Sequence, residues 1–566
     1  MSSDEIAKVN IVMFKGVDCA LCEVVEPIIR QIVTSSRGSA TLTFIDTGEE
    51  KELTTRYDIK EIPQVLYNDE VVLTAKEASE LASGEIASMM NQNSQDFSAG
   101  GMFEMQSETT NSFSALNFDS SISNSTSSNM SDMFASEQSG LFNHLFNKLI
   151  SASVDSNAEA LERRQKFNML AISQKTMTPE AIQQLTRPAL GDYVHIGILQ
   201  SIVTSILAIN PRSSEFLYRV GRDMGRFGNV QFRFLRHYPQ IFERLDVPTK
   251  FRDILEGLQE LYSANSLGLP LYLASRSLIR PESDTKAILT VYDSAFSAQM
   301  PPIGQPVCYL IAGEISGLVE TTLGENVSVV ETRCFGLGDP FCEFEIVLNQ
   351  TRDFSFDEER PFLTKSEKEK FQRSLDNISK NMYSSSLIRT ILRPGVSDHV
   401  HISVLQQAMN GIKFSDPFFS TLLFYAGLHY GRHGADYAIL ERLIKDGKVK
   451  ELPLEFEDAL KALKEYFNDP ATILTRWQGN VKLSFEDEET AYFHIQESAI
   501  SSGLNMKGSD FLIDSDGEIE TLCDFTSGFI QGRLSKIMDP SENVVVTETN
   551  CQSMGSPYCE FKVVLD

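Results

Sequence analysis

Residues 329–344 of the 566-residue chain read VVETRCFGLGDPFCEF, and residues 546–561 repeat them as VTETNCQSMGSPYCEF. Both stretches carry two cysteines eight residues apart, with a glycine and a proline at the same positions between them. A third cysteine precedes each pair, by 26 residues in the first copy (Cys308) and by 28 residues in the second (Cys523). Agreement in both spacing and text predicts an internal duplication, in which one domain occurs twice.

The duplication continues upstream of the cysteines. RPALGDYVHIGILQ at residues 187–200 is repeated as RPGVSDHVHISVLQ at residues 393–406, an offset of 206. GRDMGRFG at 221–228 is repeated as GLHYGRHG at 427–434 with the same offset. The repeated module is therefore about 210 residues long, which is a usual size for a domain.

Each copy is predicted to begin with helices and to end with strands, as an α+β domain. In the first copy the apolar pattern predicts helices at Leu141–Leu170, Asp192–Ile209 and Ser214–Phe227, and strands at Ala287–Tyr292, Val327–Arg333 and Glu343–Leu348. The last two strands would form a hairpin. Gly221 and Gly225 lie one turn apart on one helix face, where either a second helix or a ligand could approach closely.

The first 90 residues alternate in a βαβ manner. The predicted strands are Val9–Phe14, Ala40–Ile45, Val65–Tyr67 and Val71–Leu73, and the predicted helices are Cys22–Ser35, Glu49–Tyr57 and Lys76–Met89. Residues 91–140 contain 14 serines and no lysine or arginine, a composition that predicts disorder. The predicted fold class is multidomain α/β plus α+β. Its parts are a βαβ domain at 1–90, a disordered Ser-rich linker at 91–140, the first copy at 141–350, a linker at 351–370 and the second copy at 371–566.

The net charge of −28 arises from 78 acidic against 50 basic residues and would repel nucleic acid and anionic membranes. No stretch reaches the roughly 18 uninterrupted apolar residues of a membrane span, and the first residues lack the pattern of a secretory signal. These features predict a cytoplasmic protein that binds no nucleic acid and has no membrane span. Because the cytoplasm keeps thiols reduced, the cysteines are expected to be catalytic, metal-binding or inert.

A dithiol lies near the N-terminus. CALC at residues 19–22 stands between a predicted strand and a predicted helix, whose N-terminus would favour a thiolate. With Ile62-Pro63 before the next strand, this arrangement resembles the thioredoxin/glutaredoxin superfamily. The resemblance implies that Cys19 is the redox nucleophile, Cys22 the resolving thiol and Pro63 a cis-proline beside them. Because the WCGPC motif of thioredoxins is absent, a fold retained for docking is the alternative to redox activity.

Three thiolates that converge in a reducing compartment suit a structural zinc site. The cysteine triplets resemble those of the 4-vinyl-reductase domain family, whose relatives include aromatic-sensing domains of bacterial regulators and small TRAPP subunits. In the sensor members, three cysteines and an upstream glutamate hold zinc beside an apolar pocket, which implies up to two zinc ions here. The implied cysteine ligands are Cys308, Cys334 and Cys342 in the first copy and Cys523, Cys551 and Cys559 in the second.

The fourth ligand of each site is expected to be a carboxylate. Asp293 and Glu497 occupy equivalent places in the two copies, each followed by Ser-Ala, and we predict that they complete the sites. Their distances to the next cysteine, 15 and 26 residues, imply loops of different length. The alternative for the triplets as a whole is that they are small, buried and inert side chains.

From these features we predict a small-molecule-binding or sensing protein. Each copy would enclose a small apolar ligand between its helices and its sheet, and the N-terminal domain would supply redox input or docking to a protein partner. Two alternatives stay open: a thiol-disulfide oxidoreductase that uses Cys19 and Cys22, and a TRAPP-like scaffold. A homodimer is also left open. His195 and His401 are repeated on a predicted helix and are assigned no chemistry.

Overall fold

The computed structural model describes residues 9–79, a few residues between 148 and 172, and most of 175–565. The gaps within these ranges are 17–18, 36–39, 49, 58, 69, 210–211, 229–250, 266–269, 353–362, 389–391, 416–418, 435–442, 448–449, 451, 470–476, 507–520 and 540–541. The predicted linker at 91–140 and most of the predicted helix Leu141–Leu170 lie outside the described residues. The chain divides into two units, residues 8–156 and residues 157–566 with 1–7.

The N-terminal unit contains one mixed sheet. Its elements are β1 (Val9–Lys15), α1 (Ala20–Ser35), β2 (Ala40–Asp46), α2 (Lys51–Arg56), β3 (Gln64–Tyr67) and β4 (Glu70–Leu73). The strand order is β2-β1-β3-β4, in which β1 and β2 are parallel and the other pairs antiparallel. Four successive residues of β1, from Ile11 to Phe14, are all buried, as expected for a strand that is covered on both faces.

The first repeat has helices followed by an antiparallel sheet. Its elements are α3 (Pro179–Gln183), β5 (Tyr193–His195), α4 (Ile196–Ile209), α5 (Ser213–Phe227), α6 (Phe251–Leu261), β6 (Arg276–Pro281), β7 (Lys286–Tyr292), α7 (Tyr309–Leu323), β8 (Val327–Arg333) and β9 (Cys342–Leu348). The sheet order is β6-β7-β9-β8. Alternate residues of β9, from Cys342 to Leu348, are buried, so one face of the sheet covers the core.

The second repeat has the same architecture. Its elements are α8 (Lys365–Ile388), β10 (His399–His401), α9 (Ile402–Ser415), α10 (Phe419–His433), α11 (Phe456–Asn468), β11 (Val481–Phe485), β12 (Thr490–Ile495), α12 (Asp524–Ile537), β13 (Val544–Asn550) and β14 (Cys559–Leu565). The sheet order β11-β12-β14-β13 reproduces that of the first repeat. The register agrees as well, because Cys342 pairs with Val291 and Cys559 pairs with Ile495 at equivalent places.

Helices α5 and α7 cross in direct backbone contact. A Cβ atom added to Gly221 or Gly225 would lie 2.0 or 2.2 Å from a carbonyl oxygen of α7, and one added to Gly313 would lie 1.9 Å from a carbonyl oxygen of α5. In the second repeat α10 and α12 cross in the same way, and a Cβ on Gly528 would lie 1.9 Å from a carbonyl oxygen of α10. The paired glycines therefore serve helix packing.

The two repeats join through a two-stranded antiparallel sheet formed by β5 and β10. The hydrogen bonds beyond this pair are reciprocal: Ile196 N donates to Asp398 O at 3.0 Å, and Ile402 N donates to Asp192 O at 2.9 Å. The predicted helix Asp192–Ile209 is therefore wrong at its start, where β5 lies, and His195 and His401 stand on strands. The partner of each strand is about one module length away in the chain, so a local apolar pattern contains no sign of it.

The strands that lead to the cysteines agree closely with the sequence prediction. β8 has the predicted bounds, whereas β7 and β9 each begin one residue earlier than predicted. Within the described part of the chain, no helix combines the length and the apolar character needed to cross a membrane.

Candidate metal centres

Three elements of the first repeat bring its cysteines together. Cys308 directly precedes α7, Cys334 follows β8, and Cys342 begins β9, which pairs with β8. A short 3₁₀ turn at Phe335–Leu337 joins the two strands, and Asp339 Oδ2 accepts a hydrogen bond from Cys334 N at 3.2 Å. Two chain segments that are distant in sequence, a helix start and a hairpin, thus meet at three thiols.

Glu331 is the fourth member of this cluster, and one ligand atom from each of the four residues lies within 4.8 Å of the others. The sulfur atoms of Cys308 and Cys342 are 3.5 Å apart, and those of Cys342 and Cys334 are 4.0 Å apart. Glu331 Oε2 accepts a hydrogen bond from Cys308 N at 2.9 Å, which fixes the carboxylate beside the thiols. All four residues are buried.

The second repeat reproduces the cluster with Cys523, Glu548, Cys551 and Cys559, all of them buried. The sulfur of Cys559 lies 3.6 Å from that of Cys523 and 3.8 Å from that of Cys551. Glu548 Oε2 accepts a hydrogen bond from Cys523 N at 2.9 Å, the same contact as in the first repeat. The two sites are therefore equivalent in ligand type, order and geometry.

A β-bulge brings each glutamate to the face that carries the cysteine. In a regular strand, residues three apart point to opposite faces. The register of β8 shifts between Glu331 and Arg333, and that of β13 shifts between Glu548 and Asn550. The extra residue changes the parity, so that Glu331 and Cys334 are both buried while the two residues between them are exposed.

Electrostatics within the first cluster favour a cation. Burial raises the pKa of Cys308 and of Glu331 well above their usual values, and the neighbouring thiols add to this effect. Burial also acts to raise the pKa of Cys334, but hydrogen bonds from Cys308 and Cys342 outweigh it and lower this pKa to about 3. Four acidic groups so close together cannot all ionise in a buried place unless a cation balances them. A divalent ion would allow every group to act as a ligand.

Sulfur spacing supplies a test of fit. Ligand sulfurs about 2.3 Å from a tetrahedral metal ion are about 3.8 Å from one another. The spacings in the two clusters run from 3.5 to 4.0 Å, close to this value. The six cysteines expected from the sequence thus form two buried Cys3Glu clusters that could hold metal ions.

The carboxylates Asp293 and Glu497, predicted as fourth ligands, lie outside both clusters. Glu497 accepts hydrogen bonds from Ala189 N at 3.0 Å and from Leu190 N at 2.8 Å, both in the first repeat. At the equivalent place, Asp293 Oδ2 would lie 3.1 Å from a Cβ added to Gly395 of the second repeat. These two carboxylates therefore receive the loop that precedes β5 or β10 of the other repeat, which corrects their predicted role.

Glu331 and Glu548 are the ligand candidates that sequence reasoning missed. Each stands three residues before a cysteine, in the stretches VVETRC and VTETNC, so the duplicated text already contained them. The regular alternation of a strand would have directed them away from the cysteines, and only the bulge removes that objection.

The N-terminal dithiol lies where β1 leads into α1. Cys19 directly precedes α1 and is partly exposed, whereas Cys22 in its first turn is buried. The two form a disulfide, and the Ile62–Pro63 peptide is cis. Cys22 N donates to Cys19 Sγ at 3.1 Å, so the helix start contributes a donor to the more exposed sulfur.

His195 and His401 lie at the junction of the repeats, away from the cysteine clusters. Burial lowers the pKa of His195 to about 3, with His399 and Arg393 acting in the same direction, and its Nδ1 accepts a hydrogen bond from Gly197 N at 3.0 Å. His195 is therefore a neutral interior side chain, in agreement with the absence of an assigned chemistry.

A model of the 4-vinyl-reductase domain matches the chain in two regions, residues 287–348 and 516–565. Each region contains one complete cluster, from Cys308 to Cys342 and from Cys523 to Cys559. The chain thus contains a 4-vinyl-reductase domain in each repeat, at the sheet and the helix that carry the candidate metal ligands.

Two uncharacterized proteins of Methanocaldococcus jannaschii are similar to parts of the chain. One is 25% identical over 158 residues, which are 27% of this chain and 76% of that protein. The other is 33% identical over 66 residues, 12% of this chain and 41% of that protein, so less than half of its length is matched.

Two solved structures also show likeness. A trafficking protein particle complex subunit 3 from Naegleria fowleri, covalently bound to palmitic acid, is 18% identical with a TM-score of 0.18 and covers 25% of this chain and 82% of its own. The phenol-responsive sensory domain of the transcription activator PoxR with phenol is 16% identical with a TM-score of 0.19 and covers 27% of this chain and 75% of its own. Scores this low carry no argument about function.

Proposed function

We propose that this chain is a cytoplasmic small-molecule-binding protein whose two 4-vinyl-reductase repeats are each held together by a zinc ion. The observation that carries the proposal is the buried Cys3Glu cluster, which occurs twice with the same ligands and the same hydrogen bonds. The experiment that tests it is a count of zinc per chain, with the outcome for single-ligand variants argued in the Discussion.

Zinc is the metal that this donor set favours. Three thiolates and one carboxylate in a tetrahedral arrangement suit Zn²⁺, which has no geometric preference of its own and accepts sulfur readily. Four protein ligands leave no open position for a substrate, which is typical of a structural site. A zinc ion here would tie the start of α7 to the β8–β9 hairpin, and that of α12 to the β13–β14 hairpin.

We place the ligand in the first repeat, because aromatic rings fill the core of the second. Its rings form a continuous network with centroids 5.1 to 6.4 Å apart. The members of this aromatic network are Tyr430, Tyr466, Phe467, Trp477, Phe493, Phe525 and Phe529. Rings packed so closely leave little room for a guest molecule.

Smaller side chains stand at the equivalent places of the first repeat. Counted from the first cysteine of each cluster, Phe525 and Phe529 correspond to Leu310 and Glu314, and the duplicated text aligns Tyr430 with Met224. The strand register aligns Phe493 with Leu289. The first repeat therefore has smaller side chains at four interior places, one of which is a carboxylate.

A polar pair in the first repeat suggests the chemistry of its ligand. Tyr262 is buried and its hydroxyl donates to Glu314 Oε2 at 2.8 Å. Burial, reinforced by Glu314, raises the pKa of Tyr262 well above its usual value, so the phenol stays protonated. A carboxylate and a phenol amid apolar side chains would select a small apolar molecule that carries one hydroxyl or amine group.

Phenol and toluene form a matched pair of probes for this site, since they differ in one hydroxyl group. We expect calorimetry to show tighter binding of phenol, and Tyr262→Phe to reduce the difference. Trp477 is the single tryptophan of the chain and lies in the aromatic network, so its fluorescence should stay unchanged when phenol occupies the first repeat. A change in Trp477 emission on binding, or equal affinity for both probes, would contradict this placement.

A thiol-disulfide oxidoreductase is a second candidate function, on the strength of the N-terminal dithiol. We propose that residues 9–79 form a thioredoxin-like module, supported by the strand order β2-β1-β3-β4 and by the partly exposed Cys19 before α1. An exposed thiol at a helix start is suited to attack a disulfide, and the buried Cys22 is suited to resolve the mixed product. In this combined function the module provides redox input or docks a protein partner.

The reduced chain is accordingly expected to reduce insulin disulfides, and Cys19→Ser to abolish that activity. Cys22→Ser should instead accumulate a mixed disulfide at Cys19, because the resolving thiol is missing. Non-reducing electrophoresis with mass spectrometry would detect the adduct. Absence of insulin reduction by the wild type, together with an ordinary thiol pKa for Cys19, would leave docking as the role of the module.

A further inference from the structure

A short segment after β7 and after β12 reaches the metal clusters through a serine. The segments read DSAFS at residues 293–297 and ESAIS at residues 497–501. Ser297 Oγ lies 3.0 Å from Cys342 Sγ, and Ser501 Oγ lies 3.0 Å from Cys559 Sγ. Both serines are fully buried. The acidic first residue of each segment belongs to the junction between repeats, whereas the serine four residues later belongs to the cluster.

Backbone hydrogen bonds place Ser297 against the sulfur. Its own N–H and that of Ala298 donate to Ser294 O at 3.2 and 2.8 Å, and its carbonyl accepts from Met300 N at 3.0 Å. Cys342 pairs with Val291 on β7, so the turn begins three residues beyond the strand partner of the cysteine. The sheet register and the turn together determine where the hydroxyl lies, without a flexible loop.

We propose that Ser297 and Ser501 are outer-sphere partners of the two zinc sites, donating a hydrogen bond to the thiolates of Cys342 and Cys559. The inference rests on the zinc sites proposed above. A zinc-bound thiolate has no proton and can only accept, so the hydroxyl must be the donor. Three thiolates and a carboxylate outweigh the charge of one divalent ion, and a buried excess of negative charge is stabilised by donors of this kind.

The two serines should differ in strength. Ser501 Oγ also lies 3.4 Å from Gln552 Oε1, which can compete for its proton, whereas Phe335 follows the cysteine at the equivalent place in the first repeat. In the second repeat Ser498 Oγ also lies 3.8 Å from Cys523 Sγ, a long contact that adds a weak partner. Loss of Ser297 is therefore expected to weaken its site more than loss of Ser501 weakens the other.

Ser297→Ala in the full chain tests the proposal with zinc as the probe. Outer-sphere partners of metal ligands typically contribute roughly 10- to 100-fold in affinity. We expect competition with a chelator of known affinity to become biphasic, with one zinc ion released at a roughly tenfold lower chelator concentration or less. With Co²⁺ as the probe, the sulfur-to-metal charge-transfer band of one site should move to longer wavelength, because a thiolate that loses a hydrogen bond donates electrons more readily.

Ser294→Ala is the matched control, since Ser294 is equally buried in the same turn and its Oγ accepts from Phe296 N at 3.3 Å. It should leave both the zinc competition and the Co²⁺ spectrum unchanged. Ser501→Ala provides an independent trial if Ser297→Ala fails to fold. Wild-type affinity and spectrum in both serine variants would overturn the outer-sphere role while the zinc sites stand. A wild-type chain that binds neither zinc nor cobalt would instead remove the proposed function itself.

Discussion

Cys334→Ser is expected to reduce the zinc content of the chain from two ions to one, and Cys551→Ser to do the same for the other site. Each cysteine is one of four buried ligands, and a serine hydroxyl is a poor substitute for a thiolate on zinc. Because metal binding is coupled to folding, we expect the affected repeat to lose more than about 3 kcal/mol of unfolding free energy. Elemental analysis and native mass spectrometry give the zinc count, and chemical denaturation gives the stability.

The carboxylates supply the sharpest controls for this experiment. Glu331→Gln and Glu548→Gln should weaken zinc binding at one site each, whereas Asp293→Asn and Glu497→Gln should leave two ions bound. Glu497→Gln is expected to act elsewhere, because its carboxylate accepts two backbone hydrogen bonds from the first repeat. A zinc count of two in both cysteine variants, or zinc loss in Asp293→Asn but not in Glu331→Gln, would contradict the ligand assignment.

Tryptophan fluorescence can tell which repeat responds. Trp477 is buried in the aromatic network, in which Phe525 follows the zinc ligand candidate Cys523 by two residues. Cys551→Ser should therefore shift the Trp477 emission to the red at a lower denaturant concentration than in the wild type. Cys334→Ser acts on the first repeat, and we expect its first effect on stability to appear in circular dichroism.

Much of the candidate site could be predicted because it is written twice in the sequence. Spacing and text identified the six cysteines, the hairpin between them and the module length, and β8 has its predicted bounds. The fourth ligand escaped prediction for a physical reason. A single extra residue in the strand brings Glu331 to the face of Cys334, and a bulge of this kind has no local signature in the text.

Contacts between the repeats were equally out of reach for a local pattern. Val194 is fully buried because β5 pairs with β10, and the apolar residues around it continue into α4 without a visible break. Asp293 and Glu497 were equivalent in the two copies, which made them attractive as ligands. Duplicated residues, however, are expected at a symmetric interface as well as at a duplicated site, since each repeat presents the same surface to the other.

Gly313→Ala is expected to be among the most destabilising single changes in the chain. A Cβ atom at this position would lie 1.9 Å from Tyr218 O and 2.7 Å from Arg222 N, and both are backbone atoms that cannot move without displacing α5. Alanine has the better helix propensity by about 1 kcal/mol, but overpacking against a rigid helix outweighs it. We expect a loss of about 3 kcal/mol or more of unfolding free energy, measured by chemical denaturation.

Gly411→Ala on α9 is the matched control, because it is also a glycine inside a buried helix. A Cβ there would meet the Met224 side chain at 3.0 Å or more, and that flexible chain can move aside. The control should stay within about 1 kcal/mol of the wild type, since the gain in helix propensity offsets the small displacement. Gly528→Ala should repeat the large loss, because its Cβ would lie 1.9 Å from Phe424 O at the equivalent crossing. If Gly313→Ala and Gly528→Ala were as stable as Gly411→Ala, the helices would have room to separate, and the glycine face would be open to a ligand after all.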